Sequence, residues 1–215
     1  MQIRTDRTKR AAVEIDTLPW VPSPERGVER RFLERDGDEG ARATTIVRYP
    51  PHSTFAEHVH DMGEELFVLE GIFCDELGRY PQYTYVRNPW GSRHRPFTND
   101  GCTVFVKQGQ MDVDDTERVV RFTEEEMWEE VEEHLCRKYL HRFGAEEVFL
   151  ERADRGYASG FVLLEGGEES LVLDGSFADG DGVFTRGTWT RLPAGSRHAT
   201  RSANGCLRWV KRGHL

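Results

Sequence analysis

The sequence predicts an all-β chain of two antiparallel jelly-roll barrels, and three observations carry that prediction. Short β-prone runs recur at regular spacing, with clusters of Gly, Pro and Asp between them. The stretch from His58 to His94 gathers metal-type donors around two rigid turns. The second half also repeats the first. A shift of 104 residues, Gly71 to Gly175, lays Val68-Leu69 on Val172-Leu173, Asp75 on Asp179, Pro89 on Pro193 and Gly91-Ser92-Arg93-His94 on Gly195-Ser196-Arg197-His198 without a gap. A duplication of that kind implies two similar domains in one chain.

Taken in order, the chain begins with a basic stretch, Arg4, Arg7, Lys9 and Arg10, which reads as a solvated tail. Leu18 to Pro24 is too rich in proline for a helix and reads as an extended segment anchored by Trp20. Strand-like runs follow at Val28 to Leu33, Ala43 to Tyr49, Phe55 to His60, Leu66 to Phe73, Tyr83 to Arg87, Cys102 to Lys107 and Glu117 to Phe122. Thr123 to Leu135 is the one helix candidate: Thr123 with Glu126 has the form of a capping box, and Met127, Val131 and Leu135 recur at intervals of four. The expected organisation is an N-terminal barrel over 1–122, a helical linker over 123–137 and a C-terminal barrel over 138–215.

With 215 residues and 37% hydrophobic content, there is material for a core in both halves. A net charge of −9, from 38 acidic against 29 basic residues, argues against nucleic-acid binding. No apolar run or leader pattern points to a membrane, so a cytoplasmic location is expected. The spacing of Cys74, Cys102, Cys136 and Cys206 suits neither a disulfide framework nor a zinc knuckle, so reduced core thiols are expected.

The chemistry is concentrated in His58-Val59-His60, Glu64 and His94. In a strand, residues i and i+2 share a face, so His58 and His60 converge, and a hairpin at Asp61-Met62-Gly63 would return Glu64 beside them. Three imidazoles and a carboxylate suit one divalent transition metal per chain better than calcium or magnesium. Under the internal shift Glu64 falls on Glu168 and His94 on His198, but His58 and His60 fall on Val162 and Leu164. The second barrel is therefore expected to be metal-free, with an apolar pocket that is either filled or open to an apolar ligand. Arg93 and Arg197, each before the motif histidine, are read as turn or ion-pair clamps. Tyr80, Tyr83, Tyr85, Phe67, Phe97 and Trp90 are read as core, with an aromatic substrate pocket as the second reading.

The spacing His-x-His-x3-Glu-x6-Gly followed by Pro-x-Gly-x2-His, on His58, His60, Glu64, Gly71, Pro89, Gly91 and His94, resembles the two motifs of the cupin superfamily. The run Gly63 to Gly71 and Tyr85 to Pro89 is similar to the ChrR-type cupins, the metal-binding domain of a zinc anti-sigma factor. The resemblance implies a bicupin fold, His58, His60, Glu64 and His94 as metal ligands, zinc first with iron, manganese or nickel as alternatives, and a homodimer. It also implies a regulatory or stress-sensing role, or else a dioxygenase acting on a small, aromatic ketone or diketone. The anti-sigma members carry His-x3-Cys-x2-Cys on a separate domain, which this sequence lacks, so direct sigma-factor binding is not expected.

Overall fold

Glycines and prolines between the β-prone runs force the chain back on itself, and the computed structural model, which describes residues 1–215, is built almost wholly of antiparallel strands. It divides into two compact units, Met1–Thr5 with Leu18–Glu125, and Asp6–Thr17 with Glu126–Leu215.

In the first unit, Gln2–Ile3, Glu29–Asp36, Arg42–Tyr49, Cys102–Gln108, Glu64–Asp75, Thr84–Asn88 and Val119–Phe122 lie side by side in one sheet. A separate ribbon pairs His58–His60 with Ser92–His94. The sheet and ribbon form a jelly roll rather than a closed hydrogen-bonded ring. Its core is apolar and tightly buried, with Val28, Leu66, Val68, Phe73, Val86 and Val104 among its members. The long strand bends at Gly71, where φ is +73° and an added Cβ would sit 2.2 Å from the Gly101 carbonyl oxygen, so only glycine fits.

The second unit repeats this plan under the same shift. Glu146–Ala153, Val162–Leu164, Glu168–Asp179, Gly182–Thr185, Thr188–Leu192, Ser196–His198 and Cys206–Arg212 each match a strand of the first unit displaced by 104 residues, as Glu168 is from Glu64. Gly175 repeats the Gly71 bend, 2.2 Å from the Gly205 carbonyl oxygen.

Two expectations are corrected. The helix over 123–137 does not form: this stretch is a turn followed by the strand Glu129–Glu132, paired with Leu135–Phe143. Glu124, Glu125, Glu126, Glu129, Glu130, Glu132 and Glu133 would crowd like charges along a helix, and Met127 of the supposed apolar stripe is 81% exposed, with nothing to pack on. The basic start is not a free tail. Gln2–Ile3 pairs with Arg35–Asp36, and Ala11–Glu14 pairs with Thr188–Arg191 in the second unit, burying Val13. That strand gives Thr188–Leu192 the neighbour that Val119–Phe122 gives Thr84–Asn88. Trp20 does anchor its segment, held between the guanidinium groups of Arg31 and Arg48 at 4.3 and 4.1 Å from the ring centroid.

Candidate metal centre

Strand alternation places His58 and His60 on one face with the exposed Val59 on the other. The hairpin expected at Asp61–Gly63 is instead a corner. Gly63, at φ +71°, turns the chain out of the ribbon and into the large sheet, where Glu64 begins the long strand. His94 arrives from the partner strand of the ribbon, directly opposite His58. All four expected residues therefore meet, although through a ribbon and a sheet rather than one hairpin.

The three imidazoles offer nitrogen atoms within 4.8 Å of one another. His60 Nε2 and His94 Nε2 are 2.9 Å apart, and Glu64 Oε2 lies 3.4 Å from the first and 3.7 Å from the second. Glu64 Oε2 is buried without a hydrogen-bond partner. A proton can join the two imidazoles, but it leaves that carboxylate oxygen unsatisfied. Donors around one ion at about 2.0–2.2 Å stand roughly 3.0–3.5 Å apart, so the spacing and chemistry of this set fit a divalent transition metal.

The surroundings fix the rings. His58 Nδ1 lies 3.1 Å from the Ala56 carbonyl oxygen and donates to it, which leaves Nε2 as the basic nitrogen of the ring. His94 Nδ1 lies 3.3 Å from Asp75 Oδ2. Asp75 is itself anchored, because its Oδ1 accepts from Leu77 N, Gly78 N and the Tyr80 hydroxyl at 2.8, 3.0 and 2.8 Å. Burial lowers the His60 pKa below the ordinary value. Burial works the same way on His94, but the Asp75 hydrogen bond and the Glu64 charge outweigh it and the net shift is upward. The run Asp75-Glu76-Leu77-Gly78 has the residues of a hairpin turn, and nothing in it alone marks Asp75 as a partner of His94. The signal for its second role was available, since the internal shift lays it on Asp179, which stands 3.5 Å from His198 Nδ1.

Beside the donors is a cavity of about 490 Å³. His58, Glu64 and His94 line it, with apolar walls that include Tyr49, Phe55, Leu66 and Phe73. None of the six aromatics singled out in the sequence is on this lining. Tyr80, Tyr85 and Phe67 are core, Tyr83 stacks on Phe67, and Trp90 donates to the Met111 carbonyl. The pocket aromatics are instead Tyr49 at the end of Arg42–Tyr49, Phe55 in the loop before His58, and Phe73 on the same long strand as Phe67. Arg93 and Arg197 are exposed on the face opposite the buried histidines.

The second unit has the same geometry with a different filling. Val162 stands opposite His198 as His58 does opposite His94. Glu168 meets arginine rather than metal donors: Arg212 Nε lies 2.6 Å from Oε2 and Arg208 Nη1 lies 3.2 Å from Oε1. Arg208 also donates to Glu151 at 2.9 and 2.5 Å, and Arg137 bonds the other oxygen of Glu151. The expected apolar pocket is thus replaced by a buried ion-pair network. The spaces beside it measure only about 10 and 20 Å³, too small for an organic ligand. The shift places Arg208 on Val104, so a core valine has become a guanidinium whose carbon lies 4.8 Å over the Phe177 ring. In this setting burial and the Arg208 charge hold His198 below its ordinary pKa against the pull of Glu168, the reverse of His94. Burial pushes the Cys102 and Cys206 thiols up to about 12 and about 11, so both are inert core thiols.

These features define a two-unit jelly-roll protein of the cupin type with one three-histidine site that could hold a metal. The chain belongs to the ChrR cupin-like domain family, whose profile matches it twice, over residues 8–112 and 116–215. Among solved structures, a candidate dioxygenase from Nostoc punctiforme is similar at 15% identity and a TM-score of 0.81, covering 97% of this chain and 84% of that one. A candidate glyoxylate-induced protein from Pseudomonas aeruginosa is similar at 13% identity and a TM-score of 0.76, covering 98% of this chain and 89% of that one. The formate complex of Lactobacillus farciminis oxalate decarboxylase is similar at 9% identity and a TM-score of 0.67, covering 95% and 86%. These likenesses establish the shared fold. A search of curated protein sequences finds no match. No helix is long and apolar enough to cross a membrane.

Proposed function

We propose that the first unit holds one divalent transition metal on His58, His60, Glu64 and His94, and that it acts there on a small oxygenated compound in a dioxygenase-type reaction. One observation carries this reading: the donors open onto a cavity of about 490 Å³ with aromatic and aliphatic walls, a size and lining suited to a small organic molecule. A site that served stability alone would need no such space. When bound, the ion supplies Lewis acidity toward the substrate's oxygen atoms. The chain does the rest. Tyr49, Phe55 and Phe73 shape the pocket and exclude water, Asp75 orients His94, and the Glu64 oxygen that is not on the ion takes a proton from a bound enol or phenol. The dioxygenase description of the Nostoc protein agrees with this reading. Iron, manganese or nickel suits an open site of this kind.

A second reading follows from the family match. Zinc held by all four residues would close the coordination shell, and the protein would serve a regulatory or stress-sensing role. Oxygen uptake by the metal-loaded protein on diketones and hydroxylated aromatic ketones separates the two. Uptake that disappears in His60→Ala supports the enzyme, and tightly held zinc with no uptake on any metal supports the sensor.

A further inference from the structure

The cavity has a polar part that the metal reading does not use. Arg30 and Arg35 both line it. They are five residues apart, so a regular strand would send them to opposite faces. The strand instead carries a β-bulge between Phe32 and Glu34. Arg30 pairs with Val47, Phe32 with Thr45 and Arg35 with Ala43, so the bulge returns Arg35 to the face of Arg30 and Phe32. Thr45 and Val47 of that face also line the cavity. The two guanidinium carbons lie 5.1 and 5.0 Å from the Phe32 ring centroid, which serves as a platform for both.

One carboxylate serves this pair. Glu39 accepts from Arg30 Nη1 and Nη2 at 2.8 and 2.9 Å, and stands 3.6 Å from Arg35 Nη2. Arg30 Nε is buried without a hydrogen-bond partner. The arginine side chains are 14% and 6% exposed, whereas that of Glu39 is 59% exposed. Two nearly buried cations held by one solvated, displaceable anion differ from an ordinary surface ion pair. Glu25 also lines the cavity but pairs with neither arginine. With a divalent ion in place, the two arginines and the ion contribute +4 and Glu25, Glu39 and Glu64 contribute −3, leaving a net charge of +1 on the lining.

We propose that the cavity's substrate is a small carboxylic acid whose oxygen-bearing head faces the metal donors and whose carboxylate replaces Glu39 on Arg30 and Arg35. This rests on the metal-centred reading above. The bidentate fork of arginine matches a carboxylate, and the aromatic and aliphatic walls take the body between the two ends.

The test uses the full chain loaded with nickel, with calorimetric titration of three probes sharing one metal-chelating head: catechol, 3,4-dihydroxybenzoate and its methyl ester. The expected result is that 3,4-dihydroxybenzoate binds at least tenfold more tightly than the ester. That margin collapses in Arg30→Gln and in Arg35→Gln and grows in Glu39→Gln, which keeps an acceptor for the arginines, each variant being shown folded by circular dichroism. Equal affinity of acid and ester in wild type and in Glu39→Gln, with metal-dependent catechol binding intact, would overturn the carboxylate proposal and leave the metal-centred reading standing. No metal-dependent binding of any probe would overturn both.

Discussion

Arg208→Met tests whether the second unit is held by charge where the first offers metal donors. Arg208 gives Glu151 bonds of 2.9 and 2.5 Å and Glu168 one of 3.2 Å. After the change Glu151 keeps Arg137 at 2.9 and 2.8 Å, and Glu168 keeps Arg212 at 2.6 Å. Removing one partner from a buried ion-pair network costs about 3–5 kcal/mol, and the lower end applies because each carboxylate keeps one arginine. For a unit of this size, about 3 kcal/mol lowers the thermal midpoint by roughly 12–24 °C. Acid dependence gives a second readout. Burial alone would raise the Glu151 pKa, but the charges of Arg208, Arg212 and Arg137 pull it down from 4.5 to about 2. Because the folded value lies below the unfolded one, this stabilisation is complete above about pH 4.5 and is lost as pH falls toward 2. Its full size is on the order of 3 kcal/mol. Scanning calorimetry from pH 7 down to pH 3 should show a steep acid limb in wild type and a shallower one in Arg208→Met. A midpoint within 2 °C of wild type at pH 7, or an unchanged acid limb, would refute the argument.

Three further outcomes are expected. Asp75→Asn, whose amide oxygen would stay on Leu77 N, Gly78 N and the Tyr80 hydroxyl and so turn its NH2 toward His94 Nδ1, should weaken metal binding about 10–100-fold in chelator competition; unchanged affinity would show that Asp75 does not position His94. Metal affinity should fall as pH drops through the raised pKa of His94, because the ligand must lose its proton, and a flat profile between pH 6 and 8 would contradict this. The double variant Val162→His, Leu164→His should still bind one metal per chain, since Arg208 and Arg212 already engage Glu168, and a second bound ion would show that the arginines do not block the site.

Much of the architecture was legible because it depends on short-range rules. Alternation exposed the strands, the 104-residue shift from Gly71 to Gly175 exposed the two units, and the spacing of His58, His60, Glu64 and His94 placed four donors together. What escaped was set by partners distant in sequence. Ala11–Glu14 has the alternation of a strand, but its neighbour is Thr188–Arg191, and basic residues around it read locally as a tail. The helix signal at Thr123 and Glu126 was real in form, yet nothing apolar faces Met127. The network around Arg208 was hidden because Glu168 looked like a surviving ligand, while its cations come from a strand whose counterpart in the first unit carries Val104 and Gln108. The arginine pair of the cavity depends on a β-bulge that no periodicity announces.

The central claim is a single metal centre on His58, His60, Glu64 and His94, and elemental analysis of anaerobically purified protein tests it most directly. Wild type should carry one transition-metal ion per chain, while His58→Ala and His60→Ala, folded by circular dichroism, should lose most of it. Two ions per chain, none in wild type, or full occupancy in both variants would contradict the account.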